Sequence, residues 1–250
     1  MSAEYPTSVI EEISDRDTMF RDRDRYFRLG RNALDCIRLC MTAAGKTRVQ
    51  RILDLPCGYG RVLRWIKAEF PAAQLGACDI DARGVDFCAA TFGAEPVYGQ
   101  ENPDDVEIEE PYDLIWSGSL LTHLPPQQWD GFLDLFERAL APGELMVFTT
   151  HGRRIGELMH DPERRRVFQP IDHEALLREF ERDGSAYAEY QFGAEQRERL
   201  SAPSTYGISL TRPSAVCATL ERRPGLRVVC YSEARFNGQD LIGAVRVGDR

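Results

Sequence analysis

From Arg51 onward the chain alternates short apolar runs with segments of helical periodicity, and few folds accommodate that order. Ile52–Leu55 reads as a buried strand, followed at helical spacing by Val62, Leu63, Trp65, Ile66 and Phe70. Gln74–Ile80 is a second strand, and Val85, Cys88, Ala89 and Phe92 mark a second helix. Pro96–Gly99 and Tyr112–Trp116 are the third and fourth strands. Trp129, Phe132, Leu133, Phe136 and Leu140 form an amphipathic helix that Pro142-Gly143 is expected to stop, and Leu145–Thr150 is the fifth strand. Strands alternating with short helices make βαβ units, a parallel sheet and helices on both of its faces. Ligands of such sheets bind beyond the carboxyl ends of the strands. The turns at 55–60, 79–82, 99–103, 117–124 and 151–153 are therefore the places to look for chemistry.

The end of the chain breaks the alternation. Leu226–Ser232 and Asp240–Val247 read as strands with Asn237-Gly238 between them, too little chain for a helical crossover. These two strands must be antiparallel. Pro213–Arg222 reads as the last crossover helix, which leaves about 152–212 as an insertion longer than a connection needs. The insertion is read as a cap, with Phe168, Tyr187, Tyr190, Phe192 and Tyr206 among many charges. Residues 1–20 read as a tail, and 21–44 as an amphipathic helix carrying Tyr26, Phe27, Leu34, Ile37 and Cys40 on one side. The balanced run Arg21–Arg25 is a solvated face of that helix.

Composition narrows the partners. A net charge of −9, from 31 Lys+Arg against 40 Asp+Glu, argues against a general binder of nucleic-acid backbones and for a small-molecule partner. No apolar run approaches the ~20 residues of a membrane span, and no secretory leader pattern opens the chain. Seven cysteines without a CxxC, and four histidines without zinc spacing, fit a reducing cytoplasm and no metal.

The segment Ile52–Arg61 carries the most chemistry. A strand delivers Asp54 to a turn containing Gly58 and Gly60, and the turn opens a helix. A dinucleotide turn would place a third glycine at position 63, which is Leu63. Asp54 would repel a pyrophosphate but suits a ligand carrying an ammonium group. Asp79 ends the second strand 19 residues after Gly60, where a carboxylate can take both hydroxyls of a ribose. Asp81 is the alternative for that role, although it also suits the cap of the next helix. Together these acids describe a nucleoside bearing an amino acid and no phosphate.

Here the chain resembles the class I S-adenosylmethionine-dependent methyltransferases. Ile52-Leu-Asp-Leu-Pro-Cys-Gly-Tyr-Gly60 is similar to their motif I, with Pro56 in place of its first glycine. The resemblance continues through Ala77–Asp81, Tyr112–Ser119, Leu140–Leu145 and the terminal antiparallel pair. It implies a doubly wound α/β fold with seven strands ordered 3-2-1-4-5-7-6, the last antiparallel. It implies S-adenosylmethionine as cofactor, with Asp54 near the ammonium and Pro56, Cys57, Gly58 and Gly60 around the methionine part. Asp79 would hold the ribose, Ile80 would cover the adenine, and Gln100 or Glu101 would meet the adenine amine. Ser117 and Gly118 would line the sulfonium side.

For the acceptor, His123 and His151 follow strands four and five at the expected edge and are the two candidate bases. Tyr187, Tyr190 and Tyr206 are candidate acceptor contacts, and equally a small core within the cap. The N-terminal helix is a candidate lid, with Tyr26 and Arg31 toward the methionine carboxylate. The stretch Asp113–Leu124 with the Gln239-Asp240 turn resembles relatives that modify bacterial glycans or natural products. The expected function is methyl transfer to an O or N atom of a small-molecule or glycan-like acceptor. A nicotinamide-dependent oxidoreductase and a non-catalytic S-adenosylmethionine-binding protein are the competing readings.

Overall fold

Which strand lies beside which was the central expectation, and the computed structural model, which describes residues 4–165, 168 and 171–248, answers it directly. The main sheet contains β1 (Arg51–Asp54), β2 (Gln74–Asp79), β3 (Glu95–Tyr98), β4 (Tyr112–Ser117), β5 (Leu140–Thr150), β8 (Leu226–Phe236) and β9 (Gln239–Arg246). Their spatial order is β3-β2-β1-β4-β5-β9-β8. Counting β8 and β9 as the sixth and seventh strands, this is the expected 3-2-1-4-5-7-6. The first five strands pair in parallel, and β9 runs antiparallel to both β5 and β8. Asn237 (φ +49°) and Gly238 (φ +85°) make the tight turn between β8 and β9.

Side chains alternate across the sheet, so each strand feeds two cores. Ile52, Leu114, Val147 and Leu241 face one side, with α1 (Arg23–Ala43), α2 (Leu63–Glu69) and α3 (Ala82–Phe92). Leu53, Ile115, Phe148 and Ile242 face the other, with α4 (Trp129–Ala139) and α8 (Pro213–Glu221). Between β5 and α8 lie α5 (Arg153–His160), α6 (His173–Asp183), β6 (Ser185–Glu189), α7 (Ala194–Leu200) and β7 (Gly207–Thr211). β6 and β7 form a separate antiparallel pair over a third apolar cluster, which includes Ile155, Phe180, Ile208 and Leu210. Part of the sequence assigned to the cap, 166–167 and 169–170, lies outside the described residues. Among the described residues no helix is long and apolar enough to cross a membrane.

Three expectations need correction. Pro142-Gly143 does not stop α4, which ends at Ala139 because Leu140 already pairs with Tyr112 of β4. The proline and glycine instead sit where the β4–β5 register slips, with Gly143 at φ +84°. Helix α1 is not a lid: Ala33, Cys36, Ile37, Cys40 and Met41 are buried in the core. Tyr26 gives its hydroxyl to Asp17 at 2.6 Å, and Arg31 stacks on Tyr5. The segment before α1 is not a loose tail either. Arg64 is 1 % exposed and donates from Nε to the Gly60 carbonyl and from one terminal nitrogen to the carbonyls of Ile10 and Glu12. A buried cation that finds carbonyl acceptors this way fastens the N-terminal strap to the first turn.

Arg64→Met keeps most of the bulk and removes these donors. It should lower unfolding free energy by about 2–4 kcal/mol. Urea titration should show this loss, and limited proteolysis should show faster cleavage within residues 4–22.

Candidate functional site

Parallel strands bring β1, β2 and β4 to a common carboxyl edge, and two adjoining cavities open there. The first, about 280 Å³, is bordered by Pro56–Tyr59, Arg61, Val62, Asp79–Asp81, Gly118–Leu120, His123, Tyr206 and Leu200–Pro203. The second, about 340 Å³, shares Pro56, Asp79 and Ile80 and extends to Gly99–Asn102 and Phe132. Ile80, 39 % exposed, borders both. An apolar side chain left open at a strand end offers a flat ligand a face to cover.

Asp79 organises the first turn. One of its carboxylate oxygens accepts the Gly58 N–H at 2.8 Å and the other accepts the Asp81 N–H at 2.9 Å. Burial nevertheless raises its pKa. Asp81 caps α3 by accepting the Arg83 N–H, and it also takes the Tyr59 hydroxyl at 3.0 Å. Its capping work separates it from Asp79, although both border the first cavity.

Asp54 lies beneath the turn at 1 % exposure, and neither oxygen meets a normally formed hydrogen-bond partner. Burial, then the nearby Asp79 charge, pushes its pKa well above the carboxylate range, while Arg61 pulls the other way. An unpartnered buried carboxylate is costly unless a cation joins it. Gly58, at φ +50°, has open space where a Cβ would stand. Asp54 borders neither cavity, so the open backbone at Gly58 is the part of the turn that fits the amino-acid end of S-adenosylmethionine, with the Asp54 charge beneath it.

Gly60 does a different job from the one expected. At φ +76° its absent side chain makes room for Phe92, 2.2 Å from where a Cβ would be, and the residue does not border the cavity. Cys57 borders the cavity, but its N–H is spent on the Cys78 carbonyl at 2.8 Å. Ser117 is buried in β4 and turned from the cavity edge, which Gly118 and Ser119 form instead. Gln100 and Glu101 border the second cavity, yet both Glu101 oxygens are taken by Ser204, from its N–H at 2.9 Å and its hydroxyl at 2.7 Å. Of the two, Gln100 is the one left open toward a ligand.

On the acceptor side the two histidines part company. His123 borders the first cavity, and its Nδ1 lies 2.7 Å from the Gly207 carbonyl oxygen. A carbonyl only accepts, so Nδ1 carries the proton and the neutral ring keeps its lone pair on Nε2. Burial lowers the His123 pKa. His151 sits behind it, ring centroids 6.2 Å apart, and does not border either cavity. Burial, with the neighbouring His123 second, drives the His151 pKa down to about 3. Of the tyrosines, Tyr206 borders the cavity and stacks on His123 at 4.7 Å. Tyr190 lies behind with the third core, and Tyr187 faces β7.

Sequence reasoning missed Arg61, the strap residues Arg16–Met19 and the segment Arg199–Pro203, all of which border the first cavity. Arg61 stood in plain view after Gly60. The other two carry no periodicity, and only folding brings them to the edge.

The two turn glycines give a contrast that stability alone can read. Gly60→Ala should cost more than about 3 kcal/mol, from left-handed strain plus overlap with Phe92. Gly58→Ala should cost about 1–2 kcal/mol, from strain alone. Equal losses in denaturant titrations would contradict the packing role of Gly60.

Comparison with known proteins agrees with this geometry. Residues 52–143 match the family model described as a methyltransferase domain. A ribosomal RNA small subunit methyltransferase C from Chromohalobacter salexigens is 37 % identical over 78 residues, which are 30 % of this chain. That match spans only 23 % of the relative's length. Among solved structures, an S-adenosylmethionine-dependent methyltransferase from Clostridium acetobutylicum superposes with a TM-score of 0.57 at 13 % identity, covering 88 % of this chain and 92 % of its own. An amino pentose methyltransferase from Micromonospora echinaspora does so with a TM-score of 0.56 at 15 % identity, covering 92 % and 99 %. At such identities the superpositions speak for the fold, and the domain match for the cofactor turn. Residues 52–143 thus match a methyltransferase domain, and the strand order with its reversed β9 is the fold shared with S-adenosylmethionine-dependent methyltransferases of solved structure.

Proposed function

We propose that this protein transfers a methyl group from S-adenosylmethionine to an oxygen or nitrogen atom of a small-molecule or glycan-like acceptor. The observation that carries the reading is one cavity bordered both by the turn that Asp79 and Gly58 hold and by His123. When bound, S-adenosylmethionine supplies an electrophilic methyl group for in-line displacement by the acceptor's lone pair. Asp54 attracts the ammonium from beneath the turn, Asp79 receives the ribose hydroxyls, Ile80 one face of the adenine, and Gly118 the sulfonium side. His123 takes the acceptor's proton on Nε2 as the new bond forms, its tautomer held by the Gly207 carbonyl. Tyr206 and Leu200–Pro203 wall the acceptor space and keep water out. The segment from α5 to β7 therefore governs acceptor choice, and it also positions the base through Gly207. The amino pentose methyltransferase among the similar structures supports a sugar-like acceptor. The charge of −9 argues against RNA, despite the short match to a ribosomal RNA methyltransferase.

Calorimetry should show S-adenosylmethionine binding and no binding of NAD; tighter binding of NAD would replace this reading with the oxidoreductase one. His123→Gln should reduce turnover about 10²–10⁴-fold while cofactor affinity stays within a few-fold. His151→Gln should reduce it far less.

The pH profile has a defined sign. With its pKa held below the ordinary imidazole value, His123 stays neutral and active as pH falls through 6.5. The rate should decline only in more acidic solution, where the base becomes protonated. Cofactor binding without turnover on any panel of hydroxyl or amine acceptors would favour a non-catalytic binding protein.

A further inference from the structure

The charged groups around the cavity that His123 borders are in two unlike states. Asp17, Asp79 and Asp81 border it, and each is already engaged. Asp17 accepts the Tyr26 hydroxyl at 2.6 Å and the Met19 N–H at 2.9 Å. Asp79 accepts the N–H groups of Gly58 and Asp81. Asp81 pairs with Arg83 at 2.8 Å and takes the Tyr59 hydroxyl. Arg16, Arg61 and Arg199 border the same cavity, and among the described residues none of their guanidiniums has a hydrogen bond or an ion pair. Arg61 is held beside the glycine turn, on the cofactor's side. Arg16 and Arg199 are exposed instead, one on the N-terminal strap and one in the last turn of α7.

Both exposed cations stand on anchored chain. The strap is tied down where Asp17 meets Tyr26. The stretch after α7 is tied by Ser201 to Arg83 at 2.9 Å and by Ser204 to Glu101. Each arginine is therefore fixed at its base and free at its tip. Every carboxylate at this cavity has its donors, and no guanidinium has its acceptor, so the missing complement is an anion. We propose that the acceptor carries one anionic oxygen group, a carboxylate or a phosphate monoester, which Arg16 and Arg199 bind at the rim while its hydroxyl or amine reaches His123. The inference rests on the methyltransferase reading and narrows its acceptor. A guanidinium presents paired N–H donors that match either group. Two cations suit a single such group, and the net charge of −9 around them repels a polymer of phosphates. Leu200, Pro203 and Tyr206 border the same cavity and meet the acceptor's carbon skeleton. A sugar acid or a sugar phosphate is the glycan-like acceptor that meets both requirements.

The test uses protein loaded with S-adenosylhomocysteine, so that the cofactor's own carboxylate is already in place. The probes are methyl glucoside, glucuronate and glucose 6-phosphate, sugars that differ chiefly in charge. Calorimetric titration should give glucuronate or glucose 6-phosphate an affinity about 10–100-fold above that of methyl glucoside. Which of the two binds more tightly tells a carboxylate from a phosphate. Arg16→Gln and Arg199→Gln should each cut that preference about 3–10-fold, and the double variant should abolish it. Added salt should narrow it, because the pair is solvent-exposed. S-adenosylhomocysteine affinity should stay within about twofold in every variant, as the rim cations lie outside the cofactor's contacts. Equal affinity for the three probes, or no measurable binding of either anion, overturns the inference. So does a preference that survives the double variant, or a loss of S-adenosylhomocysteine affinity that accompanies it. Unmutated protein that fails to bind S-adenosylhomocysteine overturns the methyltransferase reading itself.

Discussion

The Asp79 carboxylate joins two turns that belong to different strands. By accepting from Gly58 after β1 and from Asp81 after β2, it fixes the distance between the glycine turn and the start of α3. Both cavities share that edge. A carboxylate used in this way is already half-organised for a second pair of donors, because each oxygen retains a lone pair. The same group thus builds the site and is proposed to read the ribose. This follows from the parallel sheet, which ends β1 and β2 side by side with Asp54 paired to Ala77 in register.

Buried charge is distributed unevenly around this edge, and the unevenness has meaning. Arg64 leaves one terminal nitrogen unpaired but reaches three carbonyl oxygens, and with Asp17 it holds the N-terminal strap against the turn. Asp54 and the Arg61 Nε are left without hydrogen-bond partners. A fold tolerates a few such groups because its remaining packing is large. The two cores on either face of the sheet carry that load.

The side of the cavity that His123 borders is assembled by a longer-range device. His123 follows β4, yet its tautomer is set by Gly207 at the start of β7, more than eighty residues on. The post-β4 loop is braced from the hairpin as well, since Gln239 links Thr149 and Ser119 through hydrogen bonds of 2.6 and 2.9 Å. Ser119 sits at φ +65°, a conformation that loop contacts of this kind can sustain. The glycine turn and the His123 wall are therefore separate constructions that border one cavity.

While the strand order was what the family resemblance implied, periodicity, turn chemistry and the short Asn237-Gly238 link determined the alternation of strands and helices, the reversed last pair and the glycine turn with its two acids. These are local properties, written within a few residues of one another, and they survive reading without coordinates. The tertiary structure decided what depends on distant chain segments meeting. It gave Gly60 to Phe92 rather than to a ligand, turned Glu101 toward Ser204, and set His151 behind His123. It brought the aperiodic strap at Arg16–Met19 and the segment Arg199–Pro203 to the cavity, and it left Arg61 without a partner. The physical reason is that a side chain's burial and its hydrogen-bond partners are set by residues tens to hundreds of positions away, whereas the period of a strand or a helix is set by its immediate neighbours.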